Sequence, residues 1–227
     1  PNDDKFNVYL NMVQDHRGAD FIGNNARYEV TYVDKDWNMY DEIVVWDGQS
    51  STIVNTIDFE PVAIFCDRNN KFADACHEET YIIKQKGSKD FGNAKFKAIA
   101  EEVSDSTLLR IEHRWTRPTS EGEIPEGLTI SSNRYWTIHR LDKGVSKIKG
   151  EFQYHNNVNY DEDLFVNEND SIVLLYRQDG SKQWQSIDYE LQSMGVFGRM
   201  TVEEVLSGDY VLGVWDEEHA NIEETDN

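Results

Sequence analysis

Hydrophobic and polar side chains alternate along most of this chain, and alternation with period two is typical of β-strands that bury one face. Residues 6–12 and 26–32 place an apolar side chain at every second position. Residues 171–176 form an almost unbroken apolar run, which indicates a central strand buried on both faces. The helical period is confined to residues 201–206, enough for one or two turns. The pattern therefore predicts an all-β protein.

Turn sequences rich in Asp, Asn and Gly separate the predicted strands. They lie at residues 34–38, 47–48, 67–71 and 179–180. Short strands between such turns favour β-sandwiches. Residues 87–93 are mostly polar and contain two glycines, so we interpret them as a linker. We predict two tandem β-sandwich domains of the immunoglobulin-like class, a small one at residues 1–88 and a larger one at residues 93–227.

The net charge excludes some classes of partner. The 227 residues include 43 acidic and 22 basic side chains, giving a formal charge of -21. Such a chain repels phosphate backbones, because nucleic-acid binding needs a basic patch that displaces counterions. No segment approaches the ~20 apolar residues of a membrane-spanning helix. We expect no nucleic-acid partner and no membrane span. Because the sequence begins at Pro1, we also expect a processed product or an excised part of a longer protein.

Two cysteines, Cys66 and Cys76, flank the turn predicted at residues 67–71. If the strands on either side fold back on each other, the two thiols come close enough for a disulfide in an exported protein. The alternative is a pair of buried thiols, and the sequence leaves both interpretations open. A zinc site is not expected, since two thiolates lack a matching second pair of ligands.

The segment HEETY at residues 77–81 is the first candidate for metal chemistry. A zinc-binding His-Glu-x-x-His helix needs a second histidine where this chain has Tyr81, and the segment has the pattern of a turn leading into a strand. Nucleophile-elbow and phosphate-loop motifs do not occur either. We therefore predict no catalytic residue, no metal site and no cofactor in this chain.

Glu112 and His113 are the second candidate for a chemical role, since an acid next to a base in the sequence could form an acid–base pair. His113 shares its strand phase with Ile111, which favours a buried histidine with a hydrogen-bond partner. Glu112 then lies on the opposite face with Arg110 and Arg114, as a charge ladder. If the chain were a hydrolase with an unfamiliar site, Glu112 and His113 would be the first residues to test.

A second predicted strand at residues 134–139 completes the set of candidate residues. Arg134 and Arg140 offer positive partners for Glu112. We class Glu112, His113, Arg134 and Trp136 as structural or interaction residues rather than catalytic ones.

Two further sets of residues, one acidic and one of tryptophans, each have a structural and a functional interpretation. The acidic residues 161–163 and 167–170 offer oxygen ligands for calcium, but they lack the spacing of the helix-loop-helix calcium loop and favour a solvated acidic loop. The six tryptophans include candidates for a sugar-stacking platform, although most tryptophans of a sandwich belong to its core.

An ordered series of motifs in the second half of the chain resembles a known family. The motifs are LRIEHRW at residues 109–115 with Pro118, SNRYW at 132–136, DSIVLLYR at 170–177 with Trp184, and SGDYVL at 207–212. The series resembles the region that follows the catalytic domain in exported bacterial zinc aminopeptidases, the gluzincin family that includes membrane alanyl aminopeptidase. FEPVAI at residues 59–64, followed by the turn at 67–71 and Ala75, is similar to the small β-sandwich behind that family's catalytic domain.

The resemblance implies a non-catalytic C-terminal accessory region with a structural or substrate-access role. Zinc would be bound only in a preceding catalytic domain, which would also be the main partner, and the location would be periplasmic or extracellular. No catalytic residue is carried over, because nothing in this sequence matches the family's zinc ligands or catalytic glutamate. The helical domain of the better-known members has no counterpart here. The alternative is a stand-alone β-sandwich module that binds a carbohydrate or a protein.

Overall fold

The computed structural model describes residues 5–14, 22–72, 74–118, 124–156, 160–165, 171–194 and 196–215. Within these ranges the chain forms antiparallel β-sheets and one turn of 3₁₀ helix, so the all-β prediction is confirmed. No helix in the same ranges is long and apolar enough to cross a membrane. The chain divides into two compact units, Pro1–Ala73 and Asp74–Asn227.

The first unit contains two small antiparallel sheets around one core. Its strands are β1 (Phe6–Val13), β2 (Ala26–Val33), β3 (Met39–Trp46), β4 (Ser50–Ile57) and β5 (Ala63–Cys66). Strand β1 pairs with β4, and β2 lies between β3 and β5. The alternating apolar residues predicted on β1 and β2 supply much of the core, whose buried members are Val8, Leu10, Val30, Tyr32 and Val44.

The second unit contains two larger sheets. Its strands are β6 (Cys76–Ile83), β7 (Gly87–Phe91), β8 (Phe96–Val103), β9 (Ser106–Arg114), β10 (Leu128–Ile130), β11 (Tyr135–Lys143), β12 (Ser146–His155), β13 (Ser171–Arg177), β14 (Gln185–Ser186), β15 (Glu190–Ser193), β16 (Phe197–Val202) and β17 (Gly208–Trp215), and the 3₁₀ turn is Gly92–Ala94. The larger sheet has the order β14-β13-β17-β11-β9-β6, with β10 also paired to β17. The smaller sheet has the order β15-β16-β12-β8-β7.

The inner faces of these two sheets share one hydrophobic core, as in a β-sandwich. Phe152 of the smaller sheet lies between two aromatic rings of the larger sheet. Its ring centroid is 5.3 Å from that of Trp136 and 4.7 Å from that of Tyr210. Aromatic packing of this kind contributes both buried area and edge-to-face contacts, so it fixes one sheet on the other.

The predicted linker at residues 87–93 is not where the structure divides the chain. Strand β6 pairs along its length with β9, and β7 pairs with β8, so both strands belong to the second unit. Residues 87–93 contain β7 and the start of the 3₁₀ turn instead of a connection between domains. They are polar because β7 is the edge strand of the smaller sheet and most of its side chains are at least partly exposed.

The helix suggested by residues 201–206 does not form. Thr201 and Val202 end β16, where Val202 pairs with Gly150 of β12. The backbone N–H of Val205 then donates to the carbonyl of Ile148 at 2.8 Å, and the Val205 side chain is fully buried. Pairing to a neighbouring strand therefore outweighs the weak local preference for helix.

Candidate functional site

Strand β9 places Glu112 and His113 on opposite faces of the larger sheet, because successive side chains of a strand alternate. His113 is fully buried and lies on the same face as Ile111, which belongs to the core between the sheets. Glu112 lies on the outer face and is 7% exposed. The two side chains are therefore separated by the sheet and do not form an acid–base pair.

Glu112 lies at the centre of a charge cluster on the outer face. It accepts a hydrogen bond from Nε of Arg110 at 2.8 Å and another from Nη2 of Arg114. Nε2 of His139, on the adjacent strand β11, lies 3.5 Å from Oε1 of Glu112. The ladder with Arg110 and Arg114 is as the strand phase predicts, and His139 adds a cross-strand contact.

The cluster keeps Glu112 ionised. Burial by itself would raise the pKa of the Glu112 carboxyl group, but the hydrogen bond with His139 and the charges of Arg114 and Arg110 outweigh burial. The net result is a pKa well below the usual range of a glutamate. A carboxylate held this firmly in its charged form is suited to a structural ion pair, not to proton transfer near neutral pH.

The predicted pairing of Glu112 with Arg134 or Arg140 is wrong. Arg140 forms its ion pairs with Asp142 and Glu204. Arg134 forms its ion pair with Asp161, which follows β12 in the chain. Strand phase predicts which face a side chain occupies, but it does not predict which of several charges will be nearest.

Arg134 forms a buried ion pair with Asp161. Its Nε and Nη2 each lie 2.6 Å from an oxygen of the Asp161 carboxylate, and both side chains are at most 1% exposed. Nη2 also donates to the carbonyl of Gln153 at 2.7 Å, and the Asp161 carboxylate accepts from the backbone N–H of His155 at 2.8 Å. The pair therefore joins the start of β11 to the end of β12.

The interpretation of residues 161–163 as a solvated loop is wrong for Asp161, because its side chain is fully buried. Residues 167–170 lie outside the described residues.

Arg134 also borders an aromatic stack that contains Trp136 and His113. The rings of His113 and Trp136 are 5.2 Å apart and almost parallel, at 17°. The guanidinium carbon of Arg134 lies 4.7 Å from the Trp136 ring centroid, and its Nη1 lies 3.4 Å from Nε2 of His113. Because arginine can only donate, Nε2 of His113 accepts this hydrogen bond. Nε1 of Trp136 donates to the carbonyl of Ala94 at 2.6 Å. One internal assembly thus contains three of the four residues predicted to be structural or interaction residues, namely His113, Arg134 and Trp136.

This environment keeps His113 neutral. Burial, reinforced by the positive charge of Arg134, lowers the pKa of His113 to about 2 from an ordinary value of 6.5. In the unfolded chain the imidazole takes up a proton as the pH falls through 6.5, whereas the folded protein excludes that proton. The unfolded state therefore binds more protons over this range, and stability is lost as the pH falls.

We expect His113→Phe to flatten the dependence of stability on pH. The substitution keeps an aromatic ring against Trp136 and removes the titratable imidazole. As the pH falls, the free energy of unfolding of the variant should therefore decrease by up to about 1.4 kcal/mol per pH unit less than that of the unmodified protein. The measurement is urea unfolding of both proteins between about pH 6 and about pH 4.5, and the contribution of Glu112 is common to both proteins and cancels in the comparison. Trp115→Phe, which changes a neighbouring ring without removing an ionisable group, should keep the steeper dependence. Equal slopes for His113→Phe and the unmodified protein would contradict this assignment.

The two cysteines are not joined in a disulfide. Cys66 ends β5 and pairs with Val30, whereas Cys76 begins β6 and pairs with Arg114. The flanking strands thus belong to different sheets instead of one hairpin. Neither interpretation of the pair fits this structure, because no disulfide joins the two thiols and Cys66 is exposed. Burial raises the pKa of the Cys76 thiol, which keeps it protonated.

The HEETY segment lies wholly within strand β6, so the predicted strand is confirmed and the turn predicted at its start is absent. No cluster of three or more His, Cys, Asp and Glu side chains suited to a metal ion occurs in the described part of the chain. Among the tryptophans, Trp46, Trp136 and Trp184 are buried in their units.

A pocket of about 250 Å³ opens beside the buried Arg134–Asp161 pair, at the end of the smaller sheet. We call it the β12–β16 pocket. Its lining comprises Lys95, Arg134, Gln153, Tyr154, His155, Tyr160, Phe197, Gly198 and Arg199. These residues come from the end of the 3₁₀ turn, the start of β11, the end of β12, the turn at Tyr160 and the start of β16. The arrangement has cationic groups and aromatic rings, and no acidic side chain is among the described residues that line it.

Backbone geometry shapes this pocket at two positions. Lys95 has φ of 54°, in the left-handed region, and ends the 3₁₀ turn. Gly198 faces Tyr154 across the β12–β16 pairing, and a Cβ at this glycine would lie 2.4 Å from the Tyr154 ring. A side chain at position 198 would therefore displace Tyr154 from the wall of the pocket.

The aromatic walls contact one another and the bordering cations. The His155 ring stacks on Phe197 at 6.1 Å and 18°, and it lies 5.8 Å from Tyr160. The Lys95 ammonium lies 5.6 Å from the centroid of Tyr160. No local motif indicates Lys95, Tyr160, Phe197 or Arg199 as a group, because these residues lie far apart in the chain. Chemically, the pocket can bind a small ligand through ring faces and positive charge, and Arg134 is the one predicted residue that reaches it.

No protein-family model matches the chain, and no curated protein is significantly similar to it.

Proposed function

We propose that this chain is a non-catalytic accessory region of a larger protein, and that Glu112, His113, Arg134 and Trp136 serve to hold its sandwich together. The observation that carries the proposal is that the charged groups of Glu112 and Arg134 and the indole N–H of Trp136 are used in internal contacts, while the His113 ring is fully buried. Glu112 binds Arg110 and Arg114, and Arg134 binds a buried aspartate. A catalytic acid or base must instead face the substrate with a pKa suited to proton transfer.

The resemblance described for residues 109–115, 132–136, 170–177 and 207–212 supports a zinc aminopeptidase of the gluzincin family as the parent protein. In that arrangement zinc is held by a preceding catalytic domain, which is also the main partner of this region. The role of the region is to pack against that domain or to limit access to its cleft, in the periplasm or outside the cell.

The intact mass of the native protein in its source cells tests this proposal. After immunoprecipitation, top-down mass spectrometry should find a species much larger than this chain, with aminopeptidase activity that a chelator abolishes. The isolated chain should bind no stoichiometric zinc and hydrolyse no peptide. A mature species of the size of this chain would contradict the proposal, as would zinc-dependent hydrolysis by the chain alone.

The β12–β16 pocket favours a second candidate, a binding module for a carbohydrate or a protein. Pockets lined by aromatic rings with a few polar groups are the usual form of small-ligand sites. Phe197 is 42% exposed at the start of β16, so its ring is available to a ligand. Phe197→Ala should weaken binding on a glycan array or in calorimetric titration. Leu191→Ala, which removes an exposed apolar side chain from the adjacent β15, is the matched control. Absence of saturable binding to any glycan would remove the carbohydrate candidate.

A further inference from the structure

The β12–β16 pocket has the opposite charge to the protein around it. The chain carries a formal charge of -21, yet the described residues of the lining include Lys95, Arg134 and Arg199 and no aspartate or glutamate. A concave site lined by one sign of charge concentrates the electrostatic potential within it. A ligand that enters this pocket is therefore favoured if it carries negative charge.

The positive charges of the pocket differ in how far they are already neutralised. Arg134 is matched by the two oxygens of Asp161 at 2.6 Å, so it mainly supports the wall. Arg199 is 3.9 Å from Glu151, which is itself 3.5 Å from Lys97, and the Arg199 side chain is 40% exposed. Lys95 has a ring contact with Tyr160 and forms no ion pair with a carboxylate in the described ranges. Lys95 and Arg199 are consequently the cations that can bind a ligand.

The remaining walls define the shape of the ligand. Tyr160 and Phe197 line the pocket, and aromatic rings suit the C–H groups of a sugar ring. Nδ1 of His155 is buried and has no hydrogen-bond partner among the described residues, so it retains hydrogen-bonding capacity next to the pocket. The volume of about 250 Å³ is just below the roughly 300–1,000 Å³ of pockets that enclose drug-sized ligands. The pocket is thus sized for a single ring and not for several.

We propose that the β12–β16 pocket binds one acidic sugar unit of the uronic acid type, with Arg199 and Lys95 contacting the carboxylate and Tyr160 and Phe197 lying against the ring. Arginine and lysine form charge-assisted hydrogen bonds to carboxylates, which are stronger than hydrogen bonds between neutral groups. The inference rests on the proposed binding function and adds to it the charge and size of the ligand.

Two probes that differ at one carbon test the assignment of charge. Methyl β-glucuronide carries a carboxylate where methyl β-glucoside carries a CH₂OH group, and both can be titrated into the full chain by calorimetry or by NMR. We expect saturable binding of the glucuronide and at least tenfold weaker binding of the glucoside, since a tenfold ratio corresponds to about 1.4 kcal/mol. Acetate, which has the carboxylate without the ring, should also bind at least tenfold more weakly.

Variants locate the binding site. Arg199→Gln and Lys95→Gln should each weaken glucuronide binding about tenfold and leave the glucoside unaffected, while the thermal unfolding midpoint stays unchanged. Lys182→Gln removes one exposed positive charge outside the pocket lining and should leave glucuronide binding unchanged.

The outcomes separate this inference from the binding function on which it rests. Equal binding of glucuronide and glucoside, or glucuronide binding that survives the Arg199→Gln/Lys95→Gln double variant, would overturn the acidic-sugar assignment while binding itself stands. Acetate binding as tightly as the glucuronide would overturn the role of the aromatic walls. If no glycan on an array and neither glycoside gives saturable binding, both the inference and the carbohydrate-binding function fail.

Discussion

Asp161→Asn should lower the free energy of unfolding by about 3–5 kcal/mol. The substitution keeps the size of the side chain but removes the negative charge opposite Arg134, whose guanidinium is almost completely buried. An uncompensated buried charge is more costly than the loss of one exposed ion pair, because the cation can no longer be solvated by water or balanced by a partner. Urea unfolding at neutral pH, followed by fluorescence and circular dichroism, measures the change.

A double-variant cycle separates the ion pair from general damage to the fold. Arg134→Leu combined with Asp161→Leu should cost less than the sum of the two single substitutions, with a coupling of about 0.5–3 kcal/mol. Asp188→Asn removes the same charge from an exposed position and should change stability little. An unfolding midpoint for Asp161→Asn equal to that of the unmodified protein would contradict a structural role for the pair.

Trp136→Ala should also destabilise the protein by about 3–5 kcal/mol. The Trp136 ring is fully buried, lies 5.3 Å from Phe152 of the smaller sheet and stacks on His113. Truncation removes these contacts, leaves a cavity between the sheets and leaves the Ala94 carbonyl without its hydrogen bond. The same urea titration measures the loss.

Two variants divide the effect of Trp136 into its parts. Trp136→Phe keeps much of the ring packing but removes the N–H donor, so we expect an intermediate loss of about 1–3 kcal/mol. Trp115→Ala is the control for the size of the ring, and since Trp115 is 37% exposed its loss should be clearly smaller. Equal losses for Trp115→Ala and Trp136→Ala would show that the core does not depend on Trp136 as described.

The strands of this protein were largely predictable because their signal is local. The alternating side chains of residues 6–12 and 26–32 become β1 and β2, and the apolar run at residues 171–176 becomes β13 in the interior of the larger sheet. The same phase placed His113 in the core and Glu112 on the outer face. Burial of one strand face requires the period of two, so the pattern is visible in the sequence itself.

The candidate site was predictable only in part, because the partners of its residues come from distant segments of the chain. Arg134 and Trp136 were identified as structural or interaction residues because of the strand and motif in which they lie. The partner of Arg134 was not identified, because Asp161 is 27 positions away in an acidic stretch that has the composition of a solvated loop. Choosing Asp161 over other acidic residues depends on how the turn after β12 folds, which alternation does not encode.

Local alternation predicts the all-β class, most strand positions and the face of the sheet on which each residue of β9 lies. Alternation does not predict that β6 and β7 belong to the second unit or that Cys66 and Cys76 lie in different sheets. It also does not predict that one pocket is bordered by Lys95, Tyr160, Phe197 and Arg199. The physical reason is that strand phase follows from neighbouring residues, whereas pairing and pocket formation bring together segments whose contacts form only when the whole unit folds.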